Sequence, residues 1–225
     1  KQEAQKLKHY EQILHKANFI LSISPYEYAY FKKKFGEKVV YVPVFHKNNE
    51  VKKLSKNGKF ALYHGDLRVA DNIKACLFLI NVFKKLEYPL IVASSYTNKE
   101  ISSKIKNHTN ITFDNLSNEN QLDKLFNEAH INVLPTFQKT GIKLKLIHAL
   151  FQSRFCLVNE AMVKDTGLEN LCQVANGIDA FRDKITTYSQ KKFTDTDFSI
   201  RKEGLKQFNN ILNAKKIVTL LNSKN

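Results

Sequence analysis

The sequence predicts an α/β fold, a Rossmann-like parallel sheet with helices on both faces. Three observations carry this prediction. Short, continuous runs of Val, Ile and Leu, such as "LIVAS" and "FCLV", read as strands buried on both faces. Amphipathic stretches of helical period alternate with those runs. Polar loops, some carrying a glycine, separate strand from helix, as in "YHGDLR" and "PTFQKTG".

The elements follow in chain order. Residues 3–16 set Leu7, Tyr10, Ile13 and Leu14 at helical spacing. "NFILSIS" (18–24) is a strand. "SPYEYAYFKKKFG" is a helix with Ser24 as N-cap, Pro25 in the first position and Gly36 as its stop. "KVVYVPV" (38–44) is a strand, and the polar stretch 45–58 reads as a linker. The pattern then restarts. "KFALYHG" (59–65) is a strand. Residues 71–86 form a helix with Ile73, Cys76, Leu77, Ile80 and Phe83 on one face. "PLIVASS" (89–95) is a strand, 98–106 a short helix and "NITF" (110–113) a strand. Residues 117–129 form a helix, with Ser117 and Asn120 as an imperfect capping box. "INVLP" (131–135) is a strand, 141–152 a helix and "FCLV" (155–158) a strand. A short helix at 166–171, a strand at 172–175, a helix at 178–188 and a helical tail at 196–222 complete the chain. The expected domains are 1–44, the end of a preceding domain; 59–195, the Rossmann-like domain; and 196–225, terminal crossover helices.

Bulk composition narrows the function. At 225 residues and 43% hydrophobic, the chain is long enough and apolar enough for a packed core. No apolar run approaches the roughly 20 residues that cross a bilayer. The first residues lack an initiating Met and a signal-peptide core, which reads as a fragment or a processed chain. Cys76, Cys156 and Cys172 sit in apolar surroundings without CxxC spacing, as reduced core thiols of a cytoplasmic protein do. The net charge of +15 points to a polyanionic partner or to a solubilising lysine coat. The lysines are scattered rather than set in an arginine–aromatic stripe, which argues against nucleic acid.

In a parallel sheet, ligands bind beyond the carboxyl ends of the strands, at helix N-termini. The stretch 134–150, "LPTFQKTGIKLKLIHAL", passes from strand to polar loop to helix with two lysines at the entrance. On the expected helix, Leu144, Ile147, Leu150 and Phe151 face the core. Gly141, Lys145, His148 and Gln152 share a polar stripe. Free N–H groups, the helix dipole, Lys143 and Lys145 together suit a diphosphate. The alternative is that both lysines are solvated and Gly141 is a turn. In "YHGDLRVADN" (63–72), Gly65 permits close approach of a ligand and Arg68 offers a phosphate partner; the plainer reading is a turn and a surface charge. No metal-ligand cluster, Walker loop or DxD-type motif is present, so neither metal nor cofactor is expected.

Residues 59–188 resemble, in motif order, the C-terminal nucleotide-sugar-binding domain of GT-B glycosyltransferases of the retaining "glycosyltransferase group 1" family. The resemblance rests on "FALYHGDLRVADN", "LIVASS", "NITFDNLSNENQLDKLFNEAHINVLPT", "KTGIKLKLIHAL" and "FCLVNEAM" followed by "TGLE". It implies that Gly65 faces the donor diphosphate, that backbone at Asn115 and Leu116 meets the base, and that amides at Gly141 and Ile142 meet sugar and phosphate. Lys143 and Lys145 fall on the basic positions of a "T-G-x-K-x-K" variant. The family's Glu-x7-Glu is replaced by Thr140 and His148, and a neutral His148 would accept from the ribose hydroxyls. Residues 1–44 resemble the end of the family's N-terminal domain. Its acceptor site and catalytic groups are expected to lie mostly outside this chain. The implied partners are a nucleotide-diphosphate sugar donor and a glycan or lipid-linked acceptor. The implied location is cytoplasmic, with peripheral contact at an anionic membrane face. A non-catalytic nucleotide- or sugar-binding module is the alternative.

Overall fold

The structure is a computed structural model that describes residues 2–54, 56–138 and 143–223, without the side chains of Ala4 and Glu119. The chain divides into two units, Lys1–Phe45 with Gln207–Asn225, and His46–Lys206.

In the first unit, α1 (Gln2–Tyr10) continues as a 3-10 turn, Glu11–Lys16. Then come β1 (Ile20–Ser22), α2 (Pro25–Phe35) and β2 (Val39–Tyr41). The Ser24 hydroxyl accepts from Glu27 N at 3.2 Å, Pro25 opens the helix, and Gly36 ends it at φ 68°, as the sequence predicts. β1 and β2 run parallel, Ile20 opposite Val39. Ile20, Phe35 and Val39 form a small core with Leu14, Ala17, Tyr28 and Phe31 packed on it. Lys38 Nζ donates to the carbonyls of Leu14, His15 and Ala17, satisfying acceptors that the ending 3-10 turn leaves open.

The second unit alternates strand and helix: β3 (Phe60–His64), α3 (Ala70–Phe83), β4 (Leu90–Ser94), α4 (Lys99–Ile105), β5 (Ile111–Asn115), α5 (Glu119–Glu128), β6 (Ala129–Val133), α6 (Leu144–Gln152), β7 (Phe155–Val158), α7 (Glu160–Val163), β8 (Gln173–Val174), α8 (Ile178–Gln190) and α9 (Asp195–Gly204). The strands form one parallel sheet in the order β5-β4-β3-β6-β7-β8. α3 packs against α4 and α8, and α5 against α6, so helices cover both faces as expected. Every residue of β3, β6 and β7 is buried, so β7 reads as an unbroken apolar run, while β3 and β6 also bury His64, His130 and Asn132. The segment expected as a linker runs along this unit, Lys52 N donating to Phe151 O at 2.8 Å. α10 (Asn210–Asn222) belongs to the first unit. Asn209 caps it, and Lys216 Nζ donates to Tyr41 O.

Several expectations shift. The N-cap of α5 is Asn118 rather than Ser117: Asn118 Oδ1 accepts from Gln121 N at 3.1 Å, while Ser117 N donates to Gln121 Oε1. The helix therefore starts one residue later, with the Gln121 side chain returning to the residue before the N-cap, and Ala129 joins β6. The expected helix at 166–171 reduces to a 3-10 turn at Glu169–Leu171, and α7 was not anticipated. The tail breaks at 205–209 into α9 and α10, each with its own cap. In α6, Leu144 is 48% exposed. Leu146 instead completes the buried stripe with Ile147, Leu150 and Phe151, since 146/150 and 147/151 are pairs four apart. The three cysteines are free and buried. Among the described residues no helix is long and apolar enough to cross a membrane.

Candidate functional site

Strand order reverses between β3 and β6, and in open parallel sheets the crevice beyond that point receives ligands. β3 ends at His64, followed by Gly65 and the loop into α3. β6 ends at Val133, followed by the loop that leads to α6. Two adjacent residues in the first turn of α3 reach from one side to the other. Asp71 accepts from Thr136 Oγ1 at 2.7 Å and from Phe137 N at 3.0 Å, which anchors the segment after β6. Asn159, after β7, anchors the same segment: its Oδ1 accepts from Thr136 N at 3.0 Å and its Nδ2 donates to Thr136 O at 2.6 Å. Asn72 Oδ1 accepts from Lys145 Nζ at 2.7 Å. The Tyr63 hydroxyl donates to Asn72 O at 3.0 Å, and its ring lies 5.3 Å from that same Nζ.

Lys145 is thus drawn inward rather than extended into water. Burial lowers its pKa from 10.5 to about 8, with nearby Asp71 raising it and Lys143 lowering it further. Lys143 stands at the N-cap of α6 and donates to Gln138 O at 3.0 Å; burial lowers its pKa as well, opposed by Asp71. Two ammonium groups and the start of a nine-residue helix therefore converge at the switch point. The polar stripe expected on α6 is real for its described members. Lys145 meets Asn72, His148 Nε2 lies 3.9 Å from Asp123 Oδ1, and Gln152 Nε2 donates to Asn48 Oδ1 at 2.9 Å. His148 also packs edge-on against Phe126, ring centroids 4.8 Å apart. His64 lies against Phe126 and, at 6.3 Å, His148. Burial first, then the charge of Lys145, pushes its pKa down to about 3, so it is neutral across the working range and cannot serve as a charged group.

The remaining expected residues divide into two groups. Gly65 N donates to Ala93 O, and a Cβ added there would meet the Asn72 amide at 3.1 to 3.3 Å. Its small size thus seats Asn72 directly. Arg68, in the loop after β3, turns to a neighbour in that loop and to the segment after β4 instead. It forms a two-pronged pair with Asp66, Nη2 to Oδ2 at 2.7 Å, and stacks 3.5 Å over Tyr96. Asn115 ends β5 opposite Ser94, and Leu116 N donates to Ser94 O at 3.0 Å. Thr140, Gly141 and Ile142 lie outside the described residues. Sequence reading missed Asp71, Asn72, Thr136 and Asn159 as site residues. The available signal was a polar pair in the first turn of a helix that itself lacks a side-chain N-cap, next to a glycine-ended strand.

No protein-family model matches this sequence, and no curated protein matches it. Solved structures do. A mutant of TarM from S. aureus, in complex with fondaparinux, alpha-GlcNAc-glycerol and UDP, superposes with TM-score 0.72 at 15% identity over 97% of this chain and 46% of its own. HepE from Anabaena, in complex with UDP and glucose, gives 0.71 at 12% identity over 97% of this chain and 67% of its own. A glycosyltransferase from Rickettsia africae gives 0.68 at 13% identity over 95% and 65% respectively. The chain thus spans between about half and two-thirds of the length of these structures. At such identities the likeness establishes the fold, the Rossmann-like arrangement found in GT-B glycosyltransferases.

Proposed function

We propose that the chain is the donor-binding part of a retaining GT-B glycosyltransferase of the group 1 family. The whole enzyme moves a sugar from a nucleotide-diphosphate sugar to a glycan or lipid-linked acceptor. The observation that carries this reading is the meeting of Lys143, Lys145 and the start of α6 at the point where strand order reverses. A diphosphate leaving group accumulates negative charge as the glycosidic bond breaks. Preorganised ammonium groups and helix N–H groups lower the barrier by meeting that charge without reorganising. Arg68 could join them only by exchanging its pair with Asp66 for phosphate. By the family resemblance, the base is expected toward Asn115 and Leu116, and sugar and phosphate toward Gly141 and Ile142, which lie outside the described residues. UDP in the TarM and HepE complexes supports the ligand class. A thermal-shift panel of UDP-, GDP- and ADP-sugars tests the reading. Stabilisation by one family of donors that also appears with its free nucleoside diphosphate is the expected result; no shift with any of them at millimolar concentration rejects it.

The net charge of +15 supports a second element of the proposal, docking at an anionic membrane face where lipid-linked acceptors reside. Partition to anionic vesicles that weakens with salt is expected; salt-insensitive partition argues against it. The non-catalytic alternative is favoured by one observation: His148, at a family Glu position, is packed on Phe126. Slow donor hydrolysis by the full protein separates the two, being absent from a pure binding module.

A further inference from the structure

Asp71 and Asn72 do not cap their own helix. Val69 is the N-cap of α3 and makes no side-chain cap bond, while both first-turn side chains point out of the helix to other elements. Asn72 joins three of them. Its Nδ2 donates to Asp66 O at 3.0 Å, in the loop after β3. Its own carbonyl accepts from the Tyr63 hydroxyl of β3. Its Oδ1 accepts from Lys145 of α6. The Nδ2 bond fixes which end of the amide faces the lysine: a flipped amide would set Nδ2 against the ammonium and Oδ1 against the Asp66 carbonyl, two repulsive contacts. Gly65 leaves the space in which that amide sits.

We infer that Asn72, seated by Gly65, is the positioning residue that fixes the Lys145 ammonium at the switch point, while Asp71 holds the segment after β6 in register with it. The consequence for function rests on the donor-site reading above, since the group presented is the one that meets the diphosphate. The electrostatic surroundings of Lys145 come from Asp71 on α3, Lys143 at the start of α6, and Tyr63 and His64 on β3, with Cys76 of α3 beside Tyr63. His64 is neutral and Cys76 is held as a thiol by burial, so the changeable partner is Asn72.

The test is a pH titration of the full chain carrying 13C-labelled lysine, followed by NMR, with the Lys145 signal assigned by Lys145→Arg. The wild-type signal is expected to titrate near pH 8. Asn72→Leu removes the acceptor and should lower that midpoint by about one to two pH units. Asn72→Asp adds a carboxylate and should raise it by about one unit or more. Midpoints within about 0.3 of wild type in both variants overturn the inference. Should Asn72→Leu not fold, Asn72→Asp and Asn72→Ser decide it by the same criterion. A second readout connects position to function: Asn72→Leu should weaken binding of the nucleoside diphosphate selected by thermal shift about ten-fold and leave binding of its nucleoside unchanged. If the wild type binds no nucleotide, the donor-site reading falls while the titration still decides what Asn72 does. Equal loss of nucleoside-diphosphate and nucleoside binding would overturn the link between Asn72 and the diphosphate.

Discussion

Replacing Lys145 by Met should make the protein more stable and a poorer nucleotide binder at once. The ammonium is held below its ordinary range, at about 8 rather than 10.5, chiefly by burial. That fall corresponds to roughly 3 kcal/mol of unfavourable free energy for the charged form at neutral pH, an upper figure because the side chain keeps an exposed edge. The sign follows from proton counting. Between about pH 8 and 10.5 the unfolded chain holds the lysine proton and the folded chain has released it, so this residue's cost is full below about 8 and fades as pH rises. Met keeps the apolar stem against the Tyr63 ring and removes the charge. It also deprives Asn72 Oδ1 of its strong donor, at about 1–2 kcal/mol. The net expectation is a gain of about 1–2 kcal/mol, or roughly 2–6 °C in Tm for a chain of this size. Affinity for the nucleoside diphosphate that the wild type binds should fall about ten- to a hundred-fold as a charge-assisted contact is lost. Urea unfolding at pH 7 and calorimetric titration measure the two effects. Lys145→Met with lower stability, or with nucleoside-diphosphate affinity within about three-fold of wild type, would refute the reasoning.

Other consequences are simpler to check. Binding of the nucleoside diphosphate should weaken as pH rises through about 8, the ammonium being the binding form, while binding of the matching nucleoside stays flat; parallel profiles for the two would contradict this. Gly58→Ala should destabilise by about 3 kcal/mol in urea unfolding, because the added Cβ would meet backbone atoms of Ala129 and His130 at 2.3 to 2.5 Å, where β3 and β6 begin; a loss under about 1 kcal/mol would mean that the strands shift freely. Thr194→Ala breaks the reciprocal bonds between Thr194 and Asp197 at the start of α9 and should cost about 1 kcal/mol by the same assay, an unchanged midpoint counting against the cap.

The fold was legible because its signals are local. A strand buried on both faces writes itself as an apolar run, and "FCLV" gives β7 residue for residue. Ser24, Pro25 and Gly36 each act within one helical turn of their position, and all three do what their chemistry predicts. The cap of α5 was misplaced by one residue because Ser117 and Asn118 are both good caps and only the three-dimensional path of the turn decides between them. The sequence pointed to the candidate site as a location rather than as a set of contacts. Lys145 reads as an exposed cation on a polar stripe, but its burial depends on Tyr63, contributed by a strand 82 positions earlier in the chain. Arg68 reads as a free phosphate partner, yet Asp66, two residues away, already occupies its guanidinium. Asp71 and Asn72 read as ordinary first-turn residues, since acidic and amide side chains are common there for reasons of dipole and capping. Their partners, Thr136, Phe137 and Lys145, lie at least 65 positions away.

The central claim is that a nucleotide diphosphate lodges where α6 begins, against Lys143 and Lys145. Crystals grown without ligand and soaked with a saturating UDP-, GDP- or ADP-sugar, chosen by thermal shift, test it most directly. The account predicts pyrophosphate density within hydrogen-bonding distance of Lys145 Nζ, between the loop after β3 and the start of α6. A nucleotide bound elsewhere in the molecule, with that crevice closed and Lys145 still turned to Asn72, would contradict it.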